Sequence, residues 1–178
     1  MATTQRNIYL VGPMGVGKTT IGRLLARDLG LTFVDSDHEI EIRAGADITW
    51  IFDVEGEAGF RDRETHALKE LTQRQGMLVS TGGGAVLREE NRDLLKSSGI
   101  VIMLDTSLEL QLKRTEKDKK RPLLQQGDRA QILRKLKAER QPLYEALADL
   151  VVFVGEGNSR RLVTNIIRKL EKEGLLEA

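Results

Sequence analysis

At 178 residues the chain falls in the range of a single domain and is long enough to bury a core without covalent staples. Its 28 Lys and Arg against 27 Asp and Glu leave a formal net charge of +1, so no overall field draws it to nucleic acid or to a membrane surface. The absence of cysteine excludes disulfides and thiolate zinc sites, leaves His38 and His66 as the available imidazoles, and agrees with a reducing cytoplasm.

In chain order, the first apolar run is "IYLV" (8–11), which reads as a buried strand and is too short for a signal segment or a membrane span. It passes into "GPMGVGKTT", which matches G-x-x-x-x-G-K-[ST] at Gly12, Gly17, Lys18 and Thr19, and an amphipathic stretch over 20–30 follows at once. Strand, glycine loop and helix in that order make a phosphate cradle. The glycines let backbone amides turn inward, the helix N-terminus adds partial positive charge, Lys18 reaches the β and γ phosphates, and Thr19 can hold Mg²⁺.

The second strand, "LTFV" (31–34), ends in Asp35 and Asp37. One carboxylate could serve Mg²⁺ through water while the other accepts a substrate hydroxyl proton. Alternatively Ser36 and Glu39 form a capping box on a helix that begins here. Trp50 stands with Ile48, Ile51 and Phe52 in an apolar patch and is expected in the core. Arg61 has Glu64 three positions on, which on a helix would hold its guanidinium in place, and a helical pattern runs over 66–76.

The third strand, "MLVS" (77–80), leads to Gly82, Gly83 and Gly84, three residues without Cβ that either let backbone amides meet a ligand or make a tight turn before the helical stretch 87–99. The fourth, "IVIML" (100–104), ends in Asp105, a second candidate for the metal. A helix over 107–117 gives way to "EKDKKRPLLQQGD" (116–128), a polar, cationic interruption that reads as a mobile loop carrying Lys119, Lys120 and Arg121. A helix over 129–148 includes Arg140, and a fifth strand (150–154) and a last helix (159–174) complete the chain.

Strands alternating with amphipathic helices predict βαβ units and a parallel sheet covered on both faces, with ligands at the carboxyl ends of the strands. The cradle implies a nucleotide. No guanine-reading NKxD-type segment and no protein-kinase motif set is present, which leaves a small-molecule kinase or an ATPase.

Taken together, "GPMGVGKT", "DSD", "EGEAGFRDRE", "TGGGAV", "KKRPLL" and "ERQPLYEALAD", in this order over nearly the whole chain, make the sequence resemble the bacterial shikimate kinases. The resemblance implies a P-loop NTPase-type three-layer α/β/α fold with a five-stranded parallel sheet, similar to nucleoside-monophosphate kinases. It is expected as one kinase domain with the P-loop at 12–19, a helical substrate-binding segment at about 36–62 and a lid at about 116–128. It implies transfer of the γ-phosphoryl group of ATP to the 3-hydroxyl of shikimate, giving shikimate 3-phosphate and ADP on the route to chorismate and the aromatic amino acids. By position, it makes Asp37 the residue that binds the shikimate hydroxyls and accepts the proton, and Asp35 the partner of Mg²⁺ through water, with Thr19 as direct ligand. Arg61 and Arg140 would grip the shikimate carboxylate, and Gly82, Gly83 and Gly84 would lie against its ring. ATP would be held by Gly15, Val16, Gly17, Lys18, Thr19, Thr20, the lid residue Arg121 and, in a looser match, Asn158. A cytoplasmic monomer with ATP and shikimate as partners, and with neither nucleic acid nor membrane, is expected. A gluconate-type kinase would share cradle and lid but not "GFRDRE" with "TGGG", and a nucleotide switch protein would have no use for two arginines and a triple glycine.

Overall fold

The computed structural model describes residues 4–119, 121–125 and 127–176; Lys120 therefore lies outside the described residues, as does part of the expected lid. Strand β1 (Asn7–Val11) is buried along its whole length, and β4 (Gly99–Asp105) nearly so. Their β-branched and apolar side chains have no solvent face to serve, which is the pattern of a central parallel strand. They pair in parallel, and β3 (Met77–Ser80), β2 (Thr32–Asp35) and β5 (Leu150–Phe153) complete a five-stranded parallel sheet in the order β2-β3-β1-β4-β5.

Because successive side chains point to opposite faces, each strand feeds two cores. Ile8, Leu10, Ile100, Ile102 and Leu104 face a layer made by α1 (Lys18–Leu29) and α7 (Ser159–Lys172). Tyr9, Val11, Val101 and Met103 face α3 (Ile48–Leu71), α4 (Glu89–Ser98) and α6 (Arg129–Leu147). This is the three-layer α/β/α arrangement expected. Two further helices, α2 (Ser36–Ala44) and α5 (Leu108–Thr115), and a 3₁₀ turn at Pro122–Gln125 stand at the edges of these layers.

The five strands fall where the apolar runs placed them, but the helical stretch expected over 66–76 is the second half of a longer element. Helix α3 begins at Ile48, is broken at Gly56 (φ 75°, ψ 177°) and ends at Leu71. The break erases the 3.6-residue pattern over the full length, so that only the last turns were legible. Trp50 is not in the core as expected: it is 48% exposed, whereas its neighbour Ile51 is fully buried against Ile40, Phe60 and Ala67. One residue is about 100° around a helix, so when Ile51 faces inward Trp50 is carried to the surface.

At the end of β1 the chain must turn against β4. A Cβ on Gly12, whose φ is 142°, would come within 2.1 Å of the carbonyl oxygen of Leu104, an atom of the central sheet that cannot move aside. Gly12→Ala is expected to lower the unfolding free energy by roughly 3 kcal/mol. Gly45→Ala, at φ 66° with nothing within 4 Å, should cost only about 1 kcal/mol, for backbone strain alone. Urea unfolding midpoints measure the difference, and equal midpoints would contradict the close approach.

Candidate active site

The loop between β1 and α1 is braced from behind. The Lys18 ammonium folds over it and donates to the carbonyls of Gly12 at 2.6 Å and Pro13 at 2.8 Å. From α5, Gln111 donates to the carbonyl of Met14 at 2.9 Å and Arg114 to that of Val16 at 2.8 Å. Carbonyls are drawn to the rear by these donors, leaving the front of a glycine loop to its amides, as an anion cradle requires. In front lies a cleft of about 450 Å³ lined by the run Met14–Ile21, Asp35, Asp37, Arg114, Arg121, Gly155, Gly157 and Ser159. Gly15, Val16, Gly17, Lys18, Thr19 and Thr20 thus share one cavity. Asn158 does not line it; its side chain instead caps α7, accepting from the amides of Arg160 and Arg161.

Both aspartates stand where β2 stops. The helix cap is Asp35 rather than Ser36: its Oδ1 accepts from the amides of Asp37 and His38, at 2.9 and 3.2 Å. Ser36 is fully buried and accepts from the amide of Gly82 at 3.1 Å, and Glu39 pairs with Arg43, so no capping box forms. The other oxygen of Asp35 accepts from the Thr19 hydroxyl at 3.1 Å, which brings the metal candidates together. Asp105, the competing candidate, lines neither cleft described here; its oxygens accept from the Thr106 amide and from Gln141.

A second cleft, of about 420 Å³, opens on the far side of Asp37 between α2, α3, α6 and the glycine turn. Here the triple glycine has a reason beyond its amides. A Cβ on Gly82 would stand 2.6 Å from Asp37 Oδ1 and 3.1 Å from Glu64 Oε2, one on Gly84 would lie 2.3 Å from the Arg61 guanidinium, and one on Gly83 would lie 3.3 Å from Arg140. The turn is the floor against which the charged groups pack. Arg61 is held by Glu64 at 2.9 Å and by Glu57 at 3.3 Å, as the spacing on the helix suggested. Glu64 is fully buried, and Arg61 and Arg140 nearly so. Asp37 Oδ1, Glu64 Oε2, Arg61 Nε and Arg140 Nε have no hydrogen-bond partner among the described residues. Buried polar atoms left unsatisfied at one spot point to a ligand that completes them. Apolar walls come from Ile48, Phe52 and Phe60, the two rings 4.9 Å apart.

The electrostatics follow from burial. Asp37 is pushed up to about 6, first by desolvation and then by the Asp35 carboxylate, against the pull of Lys18. Glu64 is pushed up to about 7 by burial, opposed by Arg61. Lys18 is brought down to about 7 by burial and by the Arg121 guanidinium. Titratable groups displaced toward neutrality in one cleft mark a reactive site. Arg121 itself lines both clefts and is paired with Asp118.

The two clefts share Met14, Asp35, Asp37, Gly82, Gly83 and Arg121. A phosphate cradle that opens through a carboxylate into a separate pocket lined by arginines defines a P-loop kinase that acts on a small anionic acceptor. Comparison with known proteins narrows the class. The shikimate kinase family model matches residues 14–171. The shikimate kinase of Chromohalobacter salexigens is 58% identical over 93% of this chain and 92% of that protein, and that of Pasteurella multocida is 58% identical over 92% and 94%. Among solved structures, the shikimate kinase of Acinetobacter baumannii in complex with shikimate superposes with a TM-score of 0.94 at 52% identity, covering 97% of this chain and 96% of that one. The Aquifex aeolicus shikimate kinase superposes at 0.82 with 38% identity over 95% and 98%. The chain belongs to the shikimate kinase family.

Residues that the sequence reading passed over are Arg114 and Gln111, which brace the cradle, and Tyr144, whose hydroxyl donates to the carbonyl of Gly83 at 2.5 Å. Tyr144 follows Arg140 by four positions, a spacing that puts both on one helix face and could have marked it.

Asp37 also generates a test of the site's electrostatics. Its folded-state pKa is raised, so the folded chain holds the proton better than the unfolded one, and stability is lost as pH rises from about 4 through about 6. Asp37→Asn, which removes the ionised group, is expected to melt higher than the parent at pH 8, with the gap closing below about pH 4. Thermal melts across this range check it; a lower melting temperature at pH 8 would show that Asp37 is not an electrostatic burden.

Proposed function

We propose that the two clefts bind ATP and shikimate and that their junction transfers the γ-phosphoryl group to the 3-hydroxyl of shikimate, giving shikimate 3-phosphate and ADP. This is the activity of the shikimate kinase family, an ATP-dependent step on the way to the aromatic amino acids. What supports the placement of the reaction is one observation above the others: Asp37 and Arg121 line both cavities, so a hydroxyl in one and a phosphate in the other would meet between them.

In this reading Arg61 and Arg140 bind the carboxylate of shikimate, for which the guanidinium fork is suited, and the glycine turn lies against the ring. The carboxylate fixes the acceptor at one end, so its hydroxyls fall toward Asp37. Asp37 binds them and takes the proton from the attacking oxygen. Its value of about 6 keeps it ionised at neutral pH yet more basic than an ordinary carboxylate, which favours that transfer. Lys18 and Arg121 face the charge that spreads over the transferring phosphoryl oxygens. Gly15, Val16, Gly17, Thr19 and Thr20 hold the phosphates, and the segment around Asn158 borders the adenine end.

A hydroxyl and a carboxylate in contact, Thr19 and Asp35, are hard oxygen donors that fit Mg²⁺, with Thr19 as ligand and Asp35 acting through water. When bound, the ion neutralises phosphate charge. The segment 36–62 forms the acceptor-binding part, and 116–128 serves as a lid that closes over both substrates and keeps water out. We further propose a cytoplasmic monomer. Among the described residues no helix is long and apolar enough to cross a membrane.

Coupled measurement of ADP release checks the reaction. Turnover should depend on shikimate and on Mg²⁺, and should stop when EDTA is added. Asp37→Asn should lower kcat by about 10²-fold while the protein remains folded. Arg61→Ala and Arg140→Ala should each raise the KM for shikimate at least tenfold, roughly the effect of losing a charged hydrogen bond, with the KM for ATP little changed. Equal losses for ATP and shikimate would remove these arginines from the carboxylate.

A further inference from the structure

Tyr144 is 1% exposed and packs its ring among Val11, Val101 and Met103 beneath the sheet, yet its hydroxyl reaches the glycine turn that floors the second cleft. The phenol has one proton. It goes to the carbonyl of Gly83 at 2.5 Å, since a carbonyl can only accept. The phenol oxygen is therefore left as an acceptor, and the Arg140 guanidinium stands beside it: a Cβ on Gly83 would lie 3.7 Å from the hydroxyl and 3.3 Å from Arg140, one turn earlier on α6. A guanidinium can only donate and a carbonyl can only accept, so the phenol turns its proton to Gly83 and an acceptor lone pair toward Arg140. Arg140 comes to within 3.3 Å of where a Cβ on Gly83 would stand, and its Nε has no partner among the described residues. Without the phenol, little on α6 would determine how the Arg140 fork sits relative to the glycine turn.

We propose that Tyr144 is a positioning residue for the phosphoryl acceptor, its hydroxyl setting the Arg140 guanidinium and the Gly83 peptide in register so that the carboxylate and ring of shikimate are held as one unit. This rests on the reading that Arg140 and Gly83 face shikimate. The hydroxyl makes no hydrogen bond to the cradle, which is braced by Gln111 and Arg114, so its effect falls chiefly on the substrate that Arg140 meets. Burial pushes the phenol up to about 12, so it remains a donor throughout the working range of pH.

Tyr144→Phe keeps the ring and removes only the oxygen. The KM for shikimate is expected to rise roughly five- to tenfold, as for loss of a neutral hydrogen bond with its partners left buried. The KM for ATP should stay within about twofold of the parent. In the Arg140→Ala background the same change should add less than about twofold, because the group through which Tyr144 acts is already gone. An unchanged KM for shikimate, equal losses for both substrates, independent losses that multiply in the double variant, or a variant that fails to fold would each overturn the inference and leave the hydroxyl to the core alone. If the parent enzyme releases ADP without regard to shikimate, the functional reading itself fails and this inference with it. A parent that requires shikimate beside a normal Tyr144→Phe removes the inference only.

Discussion

Everything in the acceptor site depends on the absence of side chains at Gly82, Gly83 and Gly84. Three charged groups from three different elements, Asp37 of α2, Arg61 of α3 and Arg140 of α6, come against one stretch of backbone, the first two at distances under 3 Å from where a Cβ would stand and the third at 3.3 Å. A close-packed interior fixes what touches it, so the turn acts as a common reference surface for helices that are far apart in the chain. The turn is in turn anchored. Thr81 is hydrogen bonded through both its amide and its hydroxyl to the carbonyl of Leu10 in β1, next to the cradle, and the Gly82 amide is held by Ser36. A shift in the acceptor floor would therefore be felt at the phosphate loop.

The same packing concentrates charge out of water. Asp37 and Glu64 are displaced upward by burial, and Lys18 downward. Each shift records a preference of the folded chain for the neutral form, and each is a cost carried while the site holds no ligand. The orphaned atoms of Asp37, Glu64, Arg61 and Arg140 tell the same story in hydrogen bonds. Stability lost here is offset by the two apolar layers on either side of the sheet, whose central strands are almost wholly buried. A site held taut by such a core is already arranged for the charge that reaction develops, which is where electrostatic catalysis draws its strength.

How much of this was legible in the sequence differs by element. Strands buried on both faces announce themselves as apolar runs, and the cradle has a fixed spacing, so β1, its loop and α1 could be read directly. Asp35 and Asp37 were legible as a pair at a strand end, but their division was not. Spacing favoured Ser36 as the cap, while the structure gives that role to Asp35 because Ser36 is needed at Gly82, 46 residues away. Trp50 misled for a related reason: an apolar patch says that something is buried, and the phase of the helix decides which residue. Tyr144 and Arg114 act on the backbone carbonyls of distant residues, Gly83 and Val16, and a backbone carbonyl leaves no mark in a sequence.

Both cations that would meet the phosphates are engaged within the chain itself. Lys18 donates to carbonyls of its own loop, and Arg121 is paired with Asp118 three residues before it. These partners are unequal. The carbonyls bring only partial charge to Lys18, whose proton affinity is lowered by burial and by the Arg121 guanidinium against the pull of Asp37 and Asp35, whereas Arg121 is paired with a full carboxylate. A polyanion entering the cradle would therefore stabilise the Lys18 ammonium directly, by adding to the negative charge around it. It would gain Arg121 only in competition with a carboxylate. The Lys18 ammonium is thus open to an anion without displacing a carboxylate, while Arg121 would have to be exchanged from one anion to another.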